Sequence, residues 1–372
     1  MIHRRRIRIS HHHSTHAFND PEYTPAKIWI LRILLGNSTA FRRFFNEDEG
    51  YSEHSIVEFL DLPPYELGDK VDLPPSRILR QMKETLARLQ KGSCNDSCIA
   101  RNIRMLAKHL MLSEVQQKIL ELAVTMEVCE PLSDCLNLAK VVQESRFHAL
   151  LGLALNVPRL SIREALSRDG ALRKTGLIKL EIEFKERLSM EVMDGLRDAM
   201  LVEHAGEEDL MQHFLVPGRS GSLERHNFPH LAKDLDIVTG LLDASLEQKT
   251  KGVNILLYGP PGTGKTELAR LISREVDARL FEVKTEDEDG DPTNENGRLM
   301  GYRLSQYMLA RSKRAMILFD EVEDIFPARS FSFFGLESTS AKNKGWINKA
   351  LEENPVPTIW ISNQIGHLDP AV

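Results

Sequence analysis

Eight consecutive residues, Gly259, Pro260, Pro261, Gly262, Thr263, Gly264, Lys265 and Thr266, match the pattern G-x-x-x-x-G-K-[ST] without a mismatch. This is chemistry for gripping phosphate. Glycines let successive backbone N–H groups point at the α- and β-phosphates with no Cβ atoms in the way. The Lys265 ammonium reaches the β/γ-phosphates and the Thr266 hydroxyl is a ligand for Mg²⁺. The motif carries weight only between a strand and a helix. The run Val253 to Tyr258 reads as a buried strand, and Glu267 to Ser273 has helical spacing. That helix adds the positive end of its dipole, and its first residue, Glu267, is counted with the binding residues. A plain Gly/Pro turn has no reason to sit in that context. The chain is expected to bind a nucleoside triphosphate.

A second group of residues says what happens to that nucleotide. The apolar run Ala315 to Phe319 ends in Asp320 and Glu321. In doubly wound sheets ligands collect at the carboxyl ends of strands, so these acids should face the cleft of the phosphate loop. Asp320 would hold Mg²⁺ and Glu321 would polarise the water that attacks the γ-phosphate. A third apolar run, Pro357 to Ile361, leads into Ser362 and Asn363. The Asn363 amide can hydrogen-bond the γ-phosphate or the lytic water without adding charge. A turn-forming asparagine is the plain alternative.

With GPPGTGKT, ILFDEVEDIF and IWISN followed by HLDPAV, residues 225–372 resemble the AAA family of ATPases. The resemblance implies an α/β P-loop AAA+ core with a parallel sheet and ATP with Mg²⁺ as ligands. It makes residues 259–266 the Walker A loop, Asp320 and Glu321 the Walker B pair, and Asn363 the sensor-1 residue. It also implies a ring-shaped homo-hexamer that spends ATP on remodelling a protein or nucleic-acid partner. Phe228 to Leu231 lies where the family packs a segment on adenine, although F-x-x-L is also an ordinary helix-packing pattern. The family's central-pore segment falls at residues 298–301, with Leu299 where an aromatic is expected. The sequence stops at Val372, before the family's arginine finger, fifth strand and helical lid. The expectation is therefore an incomplete sheet and weak turnover, with Arg314 or Arg329 the nearest arginines to serve a neighbouring subunit.

The rest of the chain bounds the answer. A net charge of −6 gives no global bias toward nucleic acid. No apolar stretch reaches membrane-spanning length, and the basic start lacks the apolar core of a secretory signal, so the cytoplasm is the default compartment. Four cysteines, at 94, 98, 129 and 135, are too few and too irregular for a disulfide framework or a zinc site. The histidines at 11–13 and 16 read as incidental, and with no H-E-x-x-H the zinc-protease branch of the AAA family is not supported. The acidic loop 286–291 lacks the bidentate Glu of a calcium loop.

Composition and punctuation divide the chain into a flexible basic tail (1–25), a mixed helical and loop region (26–95), a helical docking domain (96–215), a linker rich in Gly, Ser and Pro (216–224) and the ATPase region (225–372). Capping boxes are read at Ser113 with Gln116 and at Ser161 with Glu164. Alternation from Ile178 to Phe184 reads as a strand, and Arg187 to His204 as a helix. Helix, turn, helix and strand over 145–185 is the order of a winged helix, with Arg159, Arg163, Arg168, Arg173, Lys174 and Lys179 on it. A solvated basic face on a protein-docking domain is the favoured reading, and DNA contact the other. The functional reading is an ATPase that remodels a protein client or adaptor bound through 26–215. Beside it stand a truncated nucleotide-binding module with little turnover and a DNA-linked ATPase.

Overall fold

The computed structural model describes residues 21–46, 50–63, 74–92, 97–183, 187–193, 195–285, 295–324 and 351–363. They divide into two compact units, Met1–Glu207 and Glu208–Val372. The histidine tract, Cys94, the acidic loop 286–291, Arg329 and the final residues 364–372 lie outside the described residues.

The first unit is helical. It comprises α1 (Thr24–Gly36), α2 (Ser38–Phe44), a two-strand ribbon of β1 (Phe45–Asn46) and β2 (Gly50–Tyr51), α3 (His54–Leu60) and α4 (Pro75–Lys91). There follow α5 (Cys98–Leu110), α6 (Glu114–Val128), α7 (Glu130–Leu138), α8 (Glu144–Leu155), α9 (Arg159–Ala165) and α10 (Ala171–Lys174). A hairpin of β3 (Ile178–Glu183) and β4 (Arg187–Val192) and the helix α11 (Leu196–Leu201) close it. Mostly apolar apart from Lys27 and Arg32, α1 buries Trp29, Ile30, Leu31, Ile33 and Leu34 against α4, α7 and α8. A Cβ on its last residue, Gly36, would come within 2.5 Å of Leu153 Cδ1, so glycine is what lets α1 and α8 approach.

Local signals succeed and fail here for identifiable reasons. Ser113 and Gln116 form both hydrogen bonds of a capping box at the start of α6. The box read at Ser161 does not form, because α9 begins at Arg159 behind Pro158. Residues 187–192 are not helical: they pair in register with β3, and Gly195, with φ of 76°, starts the helix after them. Cys98, Cys129 and Cys135 are buried free thiols, and burial pushes the Cys129 thiol up to about 12. Among the described residues no cluster of His, Cys, Asp or Glu could hold a metal, and no helix is long and apolar enough to cross a membrane.

The second unit is built on a sheet. Its elements are α12 (Glu207–Met211, starting one residue before the division), β5 (Leu215–Pro217), α13 (Ala232–Gln248), β6 (Asn254–Tyr258), α14 (Lys265–Glu275), β7 (Arg279–Val283), α15 (Glu295–Leu309), β8 (Ala315–Phe319) and β9 (Thr358–Ser362). The strand order is β5-β7-β8-β9-β6, with β5 antiparallel to β7 and the other neighbours parallel. Every residue of β8 and β9 is buried, as central strands of a sheet covered on both faces must be.

The expected linker 216–224 is reassigned in part. Leu215–Pro217 is an edge strand, and the Gly218 N–H continues the ladder to Leu280 O at 2.8 Å. That register turns Pro217, which has no N–H to lose, toward the open edge.

A buried polar network locks the amino ends of the central strands. Gln306 on α15 donates to Val356 O at 3.0 Å and to Thr358 Oγ1 at 2.9 Å, and accepts from the Val356 N–H at 2.9 Å. Asn354 donates to Val253 O and Val356 O, and Trp360 Nε1 donates to Asn254 Oδ1 at 3.0 Å.

Candidate nucleotide site

The carboxyl ends of β6, β8 and β9 converge on the loop 259–264. Gly259 leaves β6 with φ of 149° and donates its N–H to Ser362 O at 3.2 Å, tying the loop to the end of β9. Gly262 and Gly264 have φ of 78° and 87°, the left-handed region that an L side chain enters only with strain. Gly264 then caps α14, whose first residues are Lys265 and Thr266. Thr263 Oγ1 closes the turn by donating to Pro260 O at 2.9 Å. Phe228 lies beneath Gly264, 4% exposed, and a Cβ on that glycine would sit 3.6 Å from its ring. Its ring supports the phosphate loop from below, which fits the packing reading of F-x-x-L.

The side chains read from the sequence meet here. The Lys265 ammonium donates to Gly259 O at 2.8 Å, Pro260 O at 2.9 Å and Asn363 Oδ1 at 3.0 Å, so one cation bridges the loop and the end of β9. Thr266 Oγ1 donates to Asp320 Oδ2 at 3.2 Å. A hydroxyl and a carboxylate oxygen at that separation are hard donors suited to Mg²⁺, which takes few protein ligands and keeps waters and substrate phosphates for the rest. Glu321 is exposed, with φ of 54°, and its N–H donates to Asp320 Oδ1 at 2.9 Å.

Glu267 goes elsewhere. Its carboxylate accepts from the Ser222 N–H at 2.8 Å and from Arg270 at 2.8 Å. Those hydrogen bonds, the Ser222 main chain first, hold it below the ordinary carboxylate value. Arg274 grips the same segment through Gly221 O and Leu223 O. Residues 221–223 are thus strapped along α14, and only the backbone of Glu267 is left for a phosphate.

The pore reading of 298–301 is overturned. These residues lie inside α15, and Leu299, 6% exposed, belongs to the core cluster with Val283, Tyr302 and Phe319. Arg314 is likewise used within its own chain, donating to Asp243 and Val276 O, and so is not a free group for a neighbour.

Two residues near the site have roles that the sequence reading missed. Glu323 Oε1 accepts from the Asn363 N–H at 3.1 Å. Burial would raise that carboxyl, but hydrogen bonds from the main chain of Glu323 and Asn363 and from the side chains of Ser362 and Asn363 outweigh it and lower it. Its signal was faint: an acid two residues beyond a pair already assigned. The other is Arg298, whose guanidinium donates to Asp320 O.

Comparison with known proteins agrees with this geometry. The family model described as "ATPase family associated with various cellular activities (AAA)" matches residues 255–372. A 26S proteasome regulatory subunit 8 homolog of Encephalitozoon cuniculi is 31% identical over 123 residues, 32% of this chain and 31% of that protein. A proteasome-activating nucleotidase of Methanococcus maripaludis is 25% identical over 268 residues, 71% of this chain and 58% of its own length. The ATPase family gene 2 protein homolog B of Bos taurus is 32% identical over 122 residues, 32% of this chain and 16% of that protein. The chain spans about a third of the length of the proteasome subunits it matches. The phosphate loop, the carboxylate-tipped strand and the asparagine-tipped strand of this α/β sheet thus lie in a region, residues 255–372, that matches the AAA family of ATPases.

Proposed function

We propose that the chain binds ATP with Mg²⁺ and hydrolyses it to drive rearrangement of a protein partner held through residues 26–215. The observation that carries this reading is the Lys265 ammonium reaching both the phosphate loop and Asn363 Oδ1, with the Thr266–Asp320 oxygen pair at 3.2 Å beside it. A γ-phosphate in that cradle would take over the lysine's hydrogen bonds and face the asparagine amide. Mg²⁺, when bound, neutralises charge on the β- and γ-phosphates. Thr266 and Asp320 are the residues that would hold it. Glu321 accepts a proton from the attacking water as its oxygen bonds to the γ-phosphorus and the bond to the ADP oxygen breaks. The protein partner is inferred from the relatives named as proteasome subunits and proteasome-activating nucleotidases, whose named roles concern a protein machine. The relatives named as subunits also favour a place in a larger assembly.

The test is ATP titration and phosphate release on the full chain with a Glu321→Gln variant. The amide accepts no proton, so affinity should stay within about 3-fold while turnover falls by about 100-fold or more. Equal turnover in both proteins removes Glu321 from the role, and no saturable ATP binding by the parent chain removes the whole reading.

A further inference from the structure

The peptide that joins Asp320 to Glu321 is held at both ends. Its N–H donates to Asp320 Oδ1 at 2.9 Å, and its carbonyl, Asp320 O, accepts from Arg298. Glu321 sits at φ of 54°, a region costly for a residue with a long side chain and one that persists only when its surroundings impose it. Arg298 supplies that constraint from a buried position. It is 6% exposed, so its charge is desolvated. It also lies near the amino end of α15, where the helix dipole disfavours a cation. The face of the Phe319 ring, 4.8 Å from the guanidinium carbon, fixes the plane of the group through a cation–π contact. A planar group pressed on the last residue of β8 and bonded to the next carbonyl leaves the Asp320–Glu321 peptide one orientation.

We propose that Arg298 is a positioning residue for hydrolysis: by pinning the Asp320 carbonyl it holds Glu321 in its left-handed conformation, with Asp320 turned toward Thr266. It acts through the Asp320 main-chain carbonyl. The proposal rests on the hydrolytic reading above for its consequence, and on the main-chain geometry alone for its cause.

The experiment compares the full chain with Arg298→Met and Arg298→Lys in two ways. Amide hydrogen exchange by NMR reports the pinned peptide without any nucleotide. In Arg298→Met the Glu321 amide should exchange about 10-fold faster or more, while Ile317 and Leu318 in β8 keep their protection. Phosphate release should fall by about 30-fold with KM for ATP changed less than about 3-fold, and Arg298→Lys should recover part of the loss. Unchanged exchange at Glu321 overturns the proposal. So does a loss of protection across β8 together with a rise in KM, which is what a merely structural arginine would give. If the parent chain shows no turnover, the hydrolytic reading fails by itself, and the exchange at Glu321 still decides whether Arg298 pins the peptide.

Discussion

The two ends of the central strands carry two polar networks with opposite designs. At the amino ends, Gln306, Asn354, Thr358 and the Val356 main chain are buried, and each is bonded to partners fixed by the fold. At the carboxyl ends, Lys265, Thr266, Asp320 and Asn363 are only partly buried, Glu321 is exposed, and the lysine bonds acceptors that a phosphate can replace. A saturated network out of reach of water specifies structure, because each bond is costly to lose and none can be exchanged. A network with exchangeable partners at an open rim is built for a ligand. Thr and Asn serve at both ends, and burial tells the two uses apart.

The sharpest way to break that contrast is Lys265→Ala. The loop keeps its glycines and its packing on Phe228, so the fold should persist while ATP affinity drops by about 100-fold, read by calorimetric titration. That is the magnitude of losing a charge-assisted contact with a polyphosphate. Equal affinities would place the nucleotide elsewhere.

Gln306→Leu probes the other network and should invert the outcome. Removing the amide strands the Val356 N–H and takes one donor each from the hydroxyls of Tyr302 and Thr358, which keep their bond to each other. Stability should fall by about 2–4 kcal/mol with ATP affinity unchanged, measured from the urea midpoint at constant slope. A loss of affinity as large as that of Lys265→Ala would mean that the two networks are one.

The smallest effect expected concerns Glu267, which sits beside the site in sequence but serves the strap. Its carboxyl is depressed in the folded state, so it favours folding above its unfolded value near 4.5, and the gain is lost as pH falls through the lower folded value. The gap in urea midpoint between the parent chain and Glu267→Gln should therefore be present at pH 7 and close as pH falls below the unfolded value near 4.5 and through the lower folded one. ATP affinity should shift by less than about 2-fold. A larger shift would return Glu267 to the nucleotide site.

How much of this was legible in the sequence depended on how local each signal is. The phosphate loop states its own geometry, since three glycines and a lysine act within eight residues. The strands around it were legible because buried parallel strands are unbroken apolar runs. Arg298 was not: its partner is 22 residues away, and nothing in GRLMG distinguishes a pore segment from a buried brace. The strand β5 is three residues ending in Pro and Gly, which reads as a linker until β7 is there to receive it. Residues 187–192 have Leu188, Met190 and Val192 in alternation, but a helical spacing runs through the same letters. Only the register with β3 decides between them.

The order of strands in the sheet also has a consequence for how the protein is made. Among the described residues β6, the strand that carries the phosphate loop, pairs only with β9, and Asn254 meets Thr358. On a ribosome those partners emerge about a hundred residues apart, and at about 5–20 residues per second β6 waits roughly 5–20 s for its neighbour. Throughout that interval an apolar strand with unpaired backbone is displayed on a growing chain. The nucleotide loop is therefore among the last parts of the unit to become rigid, and the newborn chain is most open to chaperones, or to a wrong strand, at the segment its function depends on.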